Sequence, residues 1–267
     1  IFDEEDCKEL SEPYRPGKLR EMSFANIIGM VKEYRSLYGF YSDDLVGDYK
    51  RTIDRLQKEQ RPAIEQQFSS FGNVLYSELH DFLNHGHEWI AAYDENLASV
   101  HGLDFTDLIC GVHRLFQDPV VRERWSSRYS YISVDEMQDT GVLEYKVLEM
   151  LWEGNHVLLC GDYFQTIYEW RGSDPFRLLK QFDADFKPLK VIFYENYRSN
   201  WTLFTMAFKT LQNMFPDLVG SIYTELPRAN SERKGKPVLI KGCKNSYLEG
   251  RYIYESICAL PKDANIG

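Results

Sequence analysis

The 267-residue sequence lacks the features of several specialised protein classes. It has no apolar run of membrane-spanning length and no signal peptide at its start, so we expect neither a membrane protein nor a secreted one. Its five cysteines are odd in number and never spaced as C-x-x-C. This spacing argues against a disulfide framework or a zinc site and predicts reduced thiols in the cytoplasm.

Basic residues are too few to dominate the charge. Lys and Arg number 31 against 41 Asp and Glu, which gives a formal net charge of −10. A protein that holds nucleic acid mainly by neutralising phosphates usually has a basic face, so the balance disfavours that mode of binding. The balance does not exclude binding of single-stranded nucleic acid by stacking in a narrow groove, because 18 Tyr and 16 Phe supply aromatic rings.

Hydrophobic periodicity divides the chain into a helical part and an alternating part. Up to about residue 95, apolar residues recur at helical spacing, as in residues 24–31 and 75–83, without a strong strand. Beyond residue 100, β-rich apolar runs alternate with helical segments, which indicates a parallel α/β sheet. The predicted strands are residues 129–134, 156–160, 189–194 and 237–241.

Three helices are predicted between and after these strands. The first begins at a cap on Asp139 or Thr140, and the second at a cap on Ser199 or Asn200. The last begins near Tyr247.

Two neighbouring carboxylates, Asp135 and Glu136, follow the first predicted strand. Adjacent strand residues point to opposite faces, so both cannot lie in a dry core, and we expect them where the strand ends. In open α/β sheets ligands bind at that edge. One carboxylate there can hold Mg²⁺, and the next can orient or deprotonate a water that attacks a phosphoryl group. A solvated turn is the alternative, but Gln138 and Asp139 in fixed register favour the functional interpretation.

Polar residues also follow the second predicted strand. Gln165 can sense a phosphate or a water, and Tyr168, Trp170 and Arg171 can stack on bases or contact a nucleic-acid backbone. Taken alone, such a Tyr/Trp pair is more often part of a hydrophobic core.

After the third predicted strand, Arg198 can stabilise charge on a transferring phosphoryl group, and Tyr197 can stack on a purine. For a lone arginine, a surface ion pair is the alternative.

Three segments in this order carry a family resemblance: VDEMQDT (134–140), GDYFQTIYEWRGSDP (161–175) and YENYRSN (194–200). They resemble motifs II, III and IV of the UvrD/Rep-like superfamily 1 DNA helicases. Residues 103–109 (LDFTDLI) are similar to a helix that precedes motif II in that family. One position departs from the pattern, because Phe164 stands where the family usually has a polar residue.

The resemblance implies ATP and Mg²⁺ as cofactors. It places Mg²⁺ on Asp135, water activation on Glu136 and γ-phosphate sensing on Gln165. It also implies that Arg198 reaches the γ-phosphate and that Tyr197 packs on the adenine.

The resemblance further implies single-stranded and partly duplex DNA as the partner, 3′-to-5′ polarity and a function in DNA repair. Gln138 and Asp139 would belong to the network between nucleotide and DNA. Tyr168 and Trp170 would face single-stranded DNA, and Arg171 would couple it to the nucleotide.

The implied fold is an α/β, RecA-like (P-loop NTPase) parallel sheet, incomplete, with a mainly helical inserted subdomain. The predicted domains are the helical insertion (1–98), the C-terminal half of the first RecA-like motor domain (99–195) and the start of the second (196–267).

The phosphate-cradling loop G-x-x-x-x-G-K-[ST] does not occur in these 267 residues. The family places it before the helical insertion, so we expect it upstream of Ile1, and the late motifs beyond Gly267. The chain starts at Ile1 and not at Met, which agrees with an excised segment. We therefore expect that the chain alone neither hydrolyses ATP appreciably nor unwinds DNA.

Two other functions stay open at this point. The segment can belong to a helicase–nuclease, which shares these motifs, and a nuclease domain in the parent chain would decide. It can also be a non-catalytic remnant that binds DNA or a partner protein, which the acidic balance favours.

Overall fold

The computed structural model describes residues 1–15, 21–70, 73–166, 175–229, 235 and 238–260. Contacts divide the chain into two compact units, Ile1–Pro188 and Leu189–Gly267. Within the described ranges, no helix is both long and apolar enough to cross a membrane. The domain bounds at 98/99 and 195/196 stay predictions.

The first unit is mainly helical. Its elements are α1 (Glu4–Ser11), α2 (Glu21–Tyr38), α3 (Leu45–Glu59), α4 (Arg61–Gln67), β1 (Ser69–Ser70), β2 (Asn73–Val74), α5 (Tyr76–Ser99), α6 (Phe105–Leu115), α7 (Pro119–Ser126), β3 (Tyr131–Val134), α8 (Val142–Glu149), β4 (His156–Leu159) and α9 (Pro175–Phe186). The second unit contains β5 (Glu195–Asn196), α10 (Trp201–Met214), α11 (Pro216–Ile222), β6 (Arg228–Ala229) and α12 (Ser246–Cys258).

A hydrophobic core joins α2, α3 and α5. Apolar residues at three- and four-residue spacing give each helix one apolar face, and packing these faces together removes them from water. The helices predicted over residues 24–31 and 75–83 are confirmed as parts of α2 and α5. Fully buried side chains of this core include Phe24, Ile27, Val31, Tyr49, Leu56, Phe82 and Ile90.

Lys32 of α2 carries a buried ammonium group that holds three carboxylates together. Its Nζ lies 3.1 Å from Asp94 Oδ1 of α5, 2.8 Å from Asp104 Oδ2 and 2.5 Å from Asp107 Oδ1. Asp104 and Asp107 also cap the start of α6, each accepting the backbone N–H of the other. The Tyr93 hydroxyl donates to Asp104 as well. One buried cation therefore fixes the start of α6 to the helical core.

The charges of this cluster depend on one another. Burial alone would lower the pKa of Lys32, but the carboxylates of Asp94, Asp104 and Asp107 raise it above its usual value. Burial raises the pKa of Asp107, and the Lys32 ammonium opposes that shift. Removing one member of a buried ion cluster leaves an uncompensated charge, which costs more than the pair contributes.

The strands β3 and β4 pair in parallel, with Ile132 opposite Val157 and Val134 opposite Leu159. These four side chains lie on one face, as the two-residue strand period requires, and pack against a second core. The strands predicted over residues 129–134 and 156–160 are confirmed, with slightly shorter bounds. The buried members of this core are Met137, Tyr145, Trp152, Leu178 and Phe182.

Two predicted strands are wrong. Residues 189–194 form none, and their Leu189 and Phe193 side chains are 93% and 86% exposed. Residues 238–241 form none either, and Pro237 lies outside the described residues. An apolar run becomes a strand only where a neighbour accepts its backbone hydrogen bonds, and the described part of the second unit has no ladder for these runs. Pairing starts only at β5, which lies parallel to β6.

The helix starts differ in part from prediction. The N-cap of α8 is Gly141, whose N–H donates to the Glu144 carboxylate at 2.8 Å, and not Asp139 or Thr140. Asp139 instead ends a 3-10 turn, Met137–Asp139, that takes up the residues expected to cap the helix. The predicted starts of the other two helices nearly match the structure. Asn200 caps α10 by accepting the N–H of Leu203, and α12 starts at Ser246.

Substitution Lys32→Met tests the buried ion cluster. It keeps an apolar stem but leaves three carboxylates without their cation, so we expect the first unit to lose about 3–5 kcal/mol of unfolding free energy. The measurement is hydrogen exchange of the α2 and α6 amides. Burial raises the pKa of Asp107 even beside the ammonium, and removing the ammonium raises that pKa further. The deficit therefore grows as pH rises above the ordinary aspartate pKa of about 4 and is smaller below it.

Lys50→Met is the matched control, because Lys50 is exposed on α3. It should change the unfolding free energy by less than about 0.5 kcal/mol. A deficit in Lys32→Met no larger than in this control would show that the cluster does not hold α6.

Candidate functional site

The strand β3 ends at Asp135 and Glu136, whose carboxylates are both exposed. Glu136 has a φ of +51°, in the left-handed region that few residues other than glycine adopt. This turn leads the chain into the 3-10 turn Met137–Asp139. Asp135 Oδ1 accepts the backbone N–H of Glu136 at 3.0 Å, which fixes the Asp135 carboxylate at the strand end.

The donor groups at this strand end fit Mg²⁺ in one specific way. Mg²⁺ prefers oxygen ligands and is usually held by one or two carboxylates together with the phosphates of a bound nucleotide. Asp135 offers such a carboxylate. Over the described ranges, no group of three or more His, Cys, Asp or Glu side chains could hold a metal. The Asp135 carboxylate therefore fits a Mg²⁺ that is shared with a phosphate.

Gln138 is only 2% exposed, and its side-chain amide joins the ends of β3 and β4. Its Nε2 donates to Glu136 Oε2 at 2.6 Å, and its Oε1 accepts the backbone N–H of Asp162 at 3.0 Å. One partner only accepts and the other only donates, so the two bonds determine which way the amide faces. The buried amide thus has both of its polar groups satisfied.

Backbone hydrogen bonds hold the same two segments together. The N–H of Cys160 donates to the carbonyl of Val134 at 2.8 Å, and the N–H of Met137 donates to the carbonyl of Cys160 at 2.9 Å. Gly161 lies directly against Gln138, since a Cβ at this glycine would stand 2.7 Å from Gln138 Oε1. The absence of a side chain at residue 161 therefore permits the close approach of the two strand ends.

The end of β4 carries a second pair of polar residues. Asp162 Oδ1 accepts the N–H of Phe164 at 3.0 Å, and Asp162 Oδ2 accepts Gln165 Nε2 at 2.7 Å. Gln165 is exposed in the 3-10 turn Tyr163–Gln165. Glu136, Gln138, Asp162 and Gln165 therefore form one continuous series of hydrogen bonds, which we name the strand-end relay.

The remaining predicted site residues fall into three groups. Asp139 donates its N–H to the carbonyl of Glu136 at 2.9 Å, and its buried Oδ1 has no hydrogen-bond partner among the described residues. Tyr197 and Arg198 belong to the second unit and are exposed, and the Tyr197 hydroxyl donates to Glu195 at 2.8 Å. Three predicted DNA contacts lie outside the described residues: Tyr168, Trp170 and Arg171.

Asp162 is the member of the strand-end relay that the sequence analysis did not identify. A signal was present, because Asp162 follows an apolar, β-rich run, as Asp135 does. The left-handed conformation of Glu136 had no comparable signal, since glutamate rarely adopts it.

Two adjacent parallel strands that both end in acidic and amide side chains are typical of α/β proteins that bind ligands at the carboxyl edge of the sheet. Within that class the chain belongs to the UvrD/REP helicase family, because the model of the UvrD/REP helicase N-terminal domain matches residues 4–187. The family predicted from the three sequence motifs is confirmed.

Individual helicases are similar over part of the chain. DNA helicase II of Haemophilus influenzae is 31% identical over 175 residues, which cover 64% of this chain and 23% of the relative. The ATP-dependent DNA helicase Rep of Buchnera aphidicola subsp. Schizaphis graminum is 35% identical over 156 residues, 57% of this chain and 23% of the relative. The ATP-dependent DNA helicase PcrA of Staphylococcus aureus is 34% identical over 149 residues, which cover 55% of this chain and 18% of the relative. The matched region thus spans less than a quarter of each relative.

Substitution Gly161→Ala tests the contact between the two strand ends. Because the new methyl group would overlap Gln138 Oε1, we expect the Gln138–Asp162 hydrogen bond to break and the unfolding free energy to fall by about 1–3 kcal/mol. Urea unfolding measures the change in unfolding free energy, and hydrogen exchange of the β3 and β4 amides locates it.

Gly111→Ala is the control, because Gly111 lies exposed in the middle of α6 with open space where a Cβ would be. Alanine there should raise stability by about 0.5–1 kcal/mol. If Gly161→Ala were equally harmless, the close approach of residue 161 to Gln138 would be refuted.

Proposed function

We propose that this chain is a segment of an ATP-dependent DNA helicase motor, which couples ATP hydrolysis to movement on single-stranded DNA and duplex unwinding. The observation that carries the proposal is the strand-end relay, which links the Glu136 carboxylate after one strand to the exposed Gln165 amide after the next. Membership of the UvrD/REP helicase family and relatives named as ATP-dependent DNA helicases support it.

In this proposal each member of the site has one role. Asp135 would hold Mg²⁺, and the ion would supply positive charge for the nucleotide phosphates. Glu136 orients the attacking water and accepts its proton, while the N–H of Gln138 fixes the position of Glu136 Oε2. Gln165 contacts the γ-phosphate from the end of β4.

The remaining assignments extend the proposal beyond the described geometry. We assign β3 and β4 to a RecA-like motor domain and α1–α5 to its helical insertion, and we place the start of a second motor domain in the second unit. Arg198 would reach the γ-phosphate and Tyr197 the adenine. Tyr168, Trp170 and Arg171 would contact single-stranded DNA, with Asp139 in the coupling network.

Substitution Glu136→Gln tests the assigned role in the whole protein that contains this segment. Without the carboxylate that accepts a proton, single-stranded-DNA-stimulated ATP turnover should fall by about 100-fold or more. Steady-state phosphate release is the measurement. Glu123→Gln, on the exposed face of α7, should leave turnover unchanged. Wild-type turnover in Glu136→Gln would remove Glu136 from the reaction.

The 267-residue chain by itself should not hydrolyse ATP appreciably. Its sequence contains no G-x-x-x-x-G-K-[ST] loop whose amides and lysine hold the β- and γ-phosphates. Purified chain incubated with ATP, Mg²⁺ and single-stranded DNA should therefore release phosphate no faster than its own Glu136→Gln variant. Turnover that depends on Glu136 in this short chain would contradict the expectation.

A further inference from the structure

Asp162 takes part in the strand-end relay through three separate groups. Its backbone N–H donates to Gln138 Oε1, its Oδ1 accepts the N–H of Phe164, and its Oδ2 accepts Gln165 Nε2. The bond to Phe164 is enough to cap the short turn that starts there. The bond to Gln165 goes beyond capping, because it links the carboxylate to a side chain.

The bond to Gln165 determines what that exposed side chain can do. A glutamine at the surface samples several rotamers, and fixing it for a contact costs conformational entropy. A carboxylate only accepts hydrogen bonds, so Asp162 orients the Nε2 end of the amide toward itself. The same residue is tied through its N–H to Gln138, and through Gln138 to Glu136. Gln165 and Glu136 are therefore set in position by one common junction.

We propose that Asp162 is a positioning residue for ATP hydrolysis, which holds the Gln165 amide in register with the Glu136 carboxylate. The inference rests on the proposed function of Glu136 and Gln165. Asp162 acts through Gln165 and does not itself touch the nucleotide. Its side chain therefore affects the chemical step more than the binding of ATP.

The test is a double-mutant cycle in the whole protein, with Asp162→Asn, Gln165→Ala and the combined variant. Asparagine keeps an oxygen for the N–H of Phe164 but presents no second acceptor to Gln165 Nε2. We expect Asp162→Asn to lower kcat of the DNA-stimulated ATPase about tenfold, with KM for ATP within about twofold of wild type. In the Gln165→Ala background the same substitution should have no further effect, because its target side chain is gone.

Asp118→Asn is a matched control. Asp118 accepts the N–H of Val120 two residues on, as Asp162 accepts that of Phe164, but it lies at the start of α7 away from the relay. Its substitution should leave kcat unchanged. The proposal is overturned if Asp162→Asn leaves kcat at the wild-type value, or if it lowers kcat equally with and without Gln165.

A second readout does not depend on activity. In the 267-residue chain, Asp162→Asn should shift the NMR resonances of the Gln165 side-chain amide and speed its exchange with solvent, while the buried Gln138 amide stays protected. Loss of protection at both glutamines would assign Asp162 a general structural role and overturn the proposal. If Glu136→Gln and Gln165→Ala both left ATP turnover unchanged, the proposed function itself would fail, and the NMR result would still report on the Asp162–Gln165 contact.

Discussion

The parallel pairing of β3 with β4 is the constraint on which the candidate site depends. It sets Val134 opposite Leu159, so that the polar segments that follow leave the sheet side by side. The backbone then continues the pairing one step further, since Cys160 bonds to both Val134 and Met137. Only after this step can a single side chain, that of Gln138, reach both segments. Parallel strands end at the same edge, so chemistry that needs groups from two segments is built there.

A second constraint joins the helical core to α6, which precedes the sheet in the chain. Lys32 fixes the start of α6 by binding the two aspartates that also cap that helix, Asp104 and Asp107. Both Lys32 and Gln138 are buried polar groups with partners on separate segments. Buried polar groups are costly unless they are satisfied, so each one favours a single arrangement of the segments that it joins.

Some of these features could be predicted from the sequence, and others could not. The two strand ends could be predicted because Asp135, Glu136 and Gln165 follow β-rich apolar runs, and strand ends are where such polar residues can lie. The relay itself could not, because it depends on the side-chain reach of Gln138 and on the missing Cβ of Gly161. The run at 189–194 shows the opposite error, since its composition favours a strand but no strand among the described residues pairs with it. A local run of apolar residues does not show whether a second strand is present to pair with it.

We propose that the joined ends of β3 and β4 form the phosphate side of an ATP site in a helicase motor. This proposal is tested most directly by a crystal structure of the whole protein with Mg²⁺ and a non-hydrolysable ATP analogue. We expect the metal beside Asp135 and the γ-phosphate within about 3 Å of the Gln165 amide. A nucleotide bound with its phosphates away from this edge of the sheet, and with the Glu136 carboxylate remote from the γ-phosphate, would contradict it.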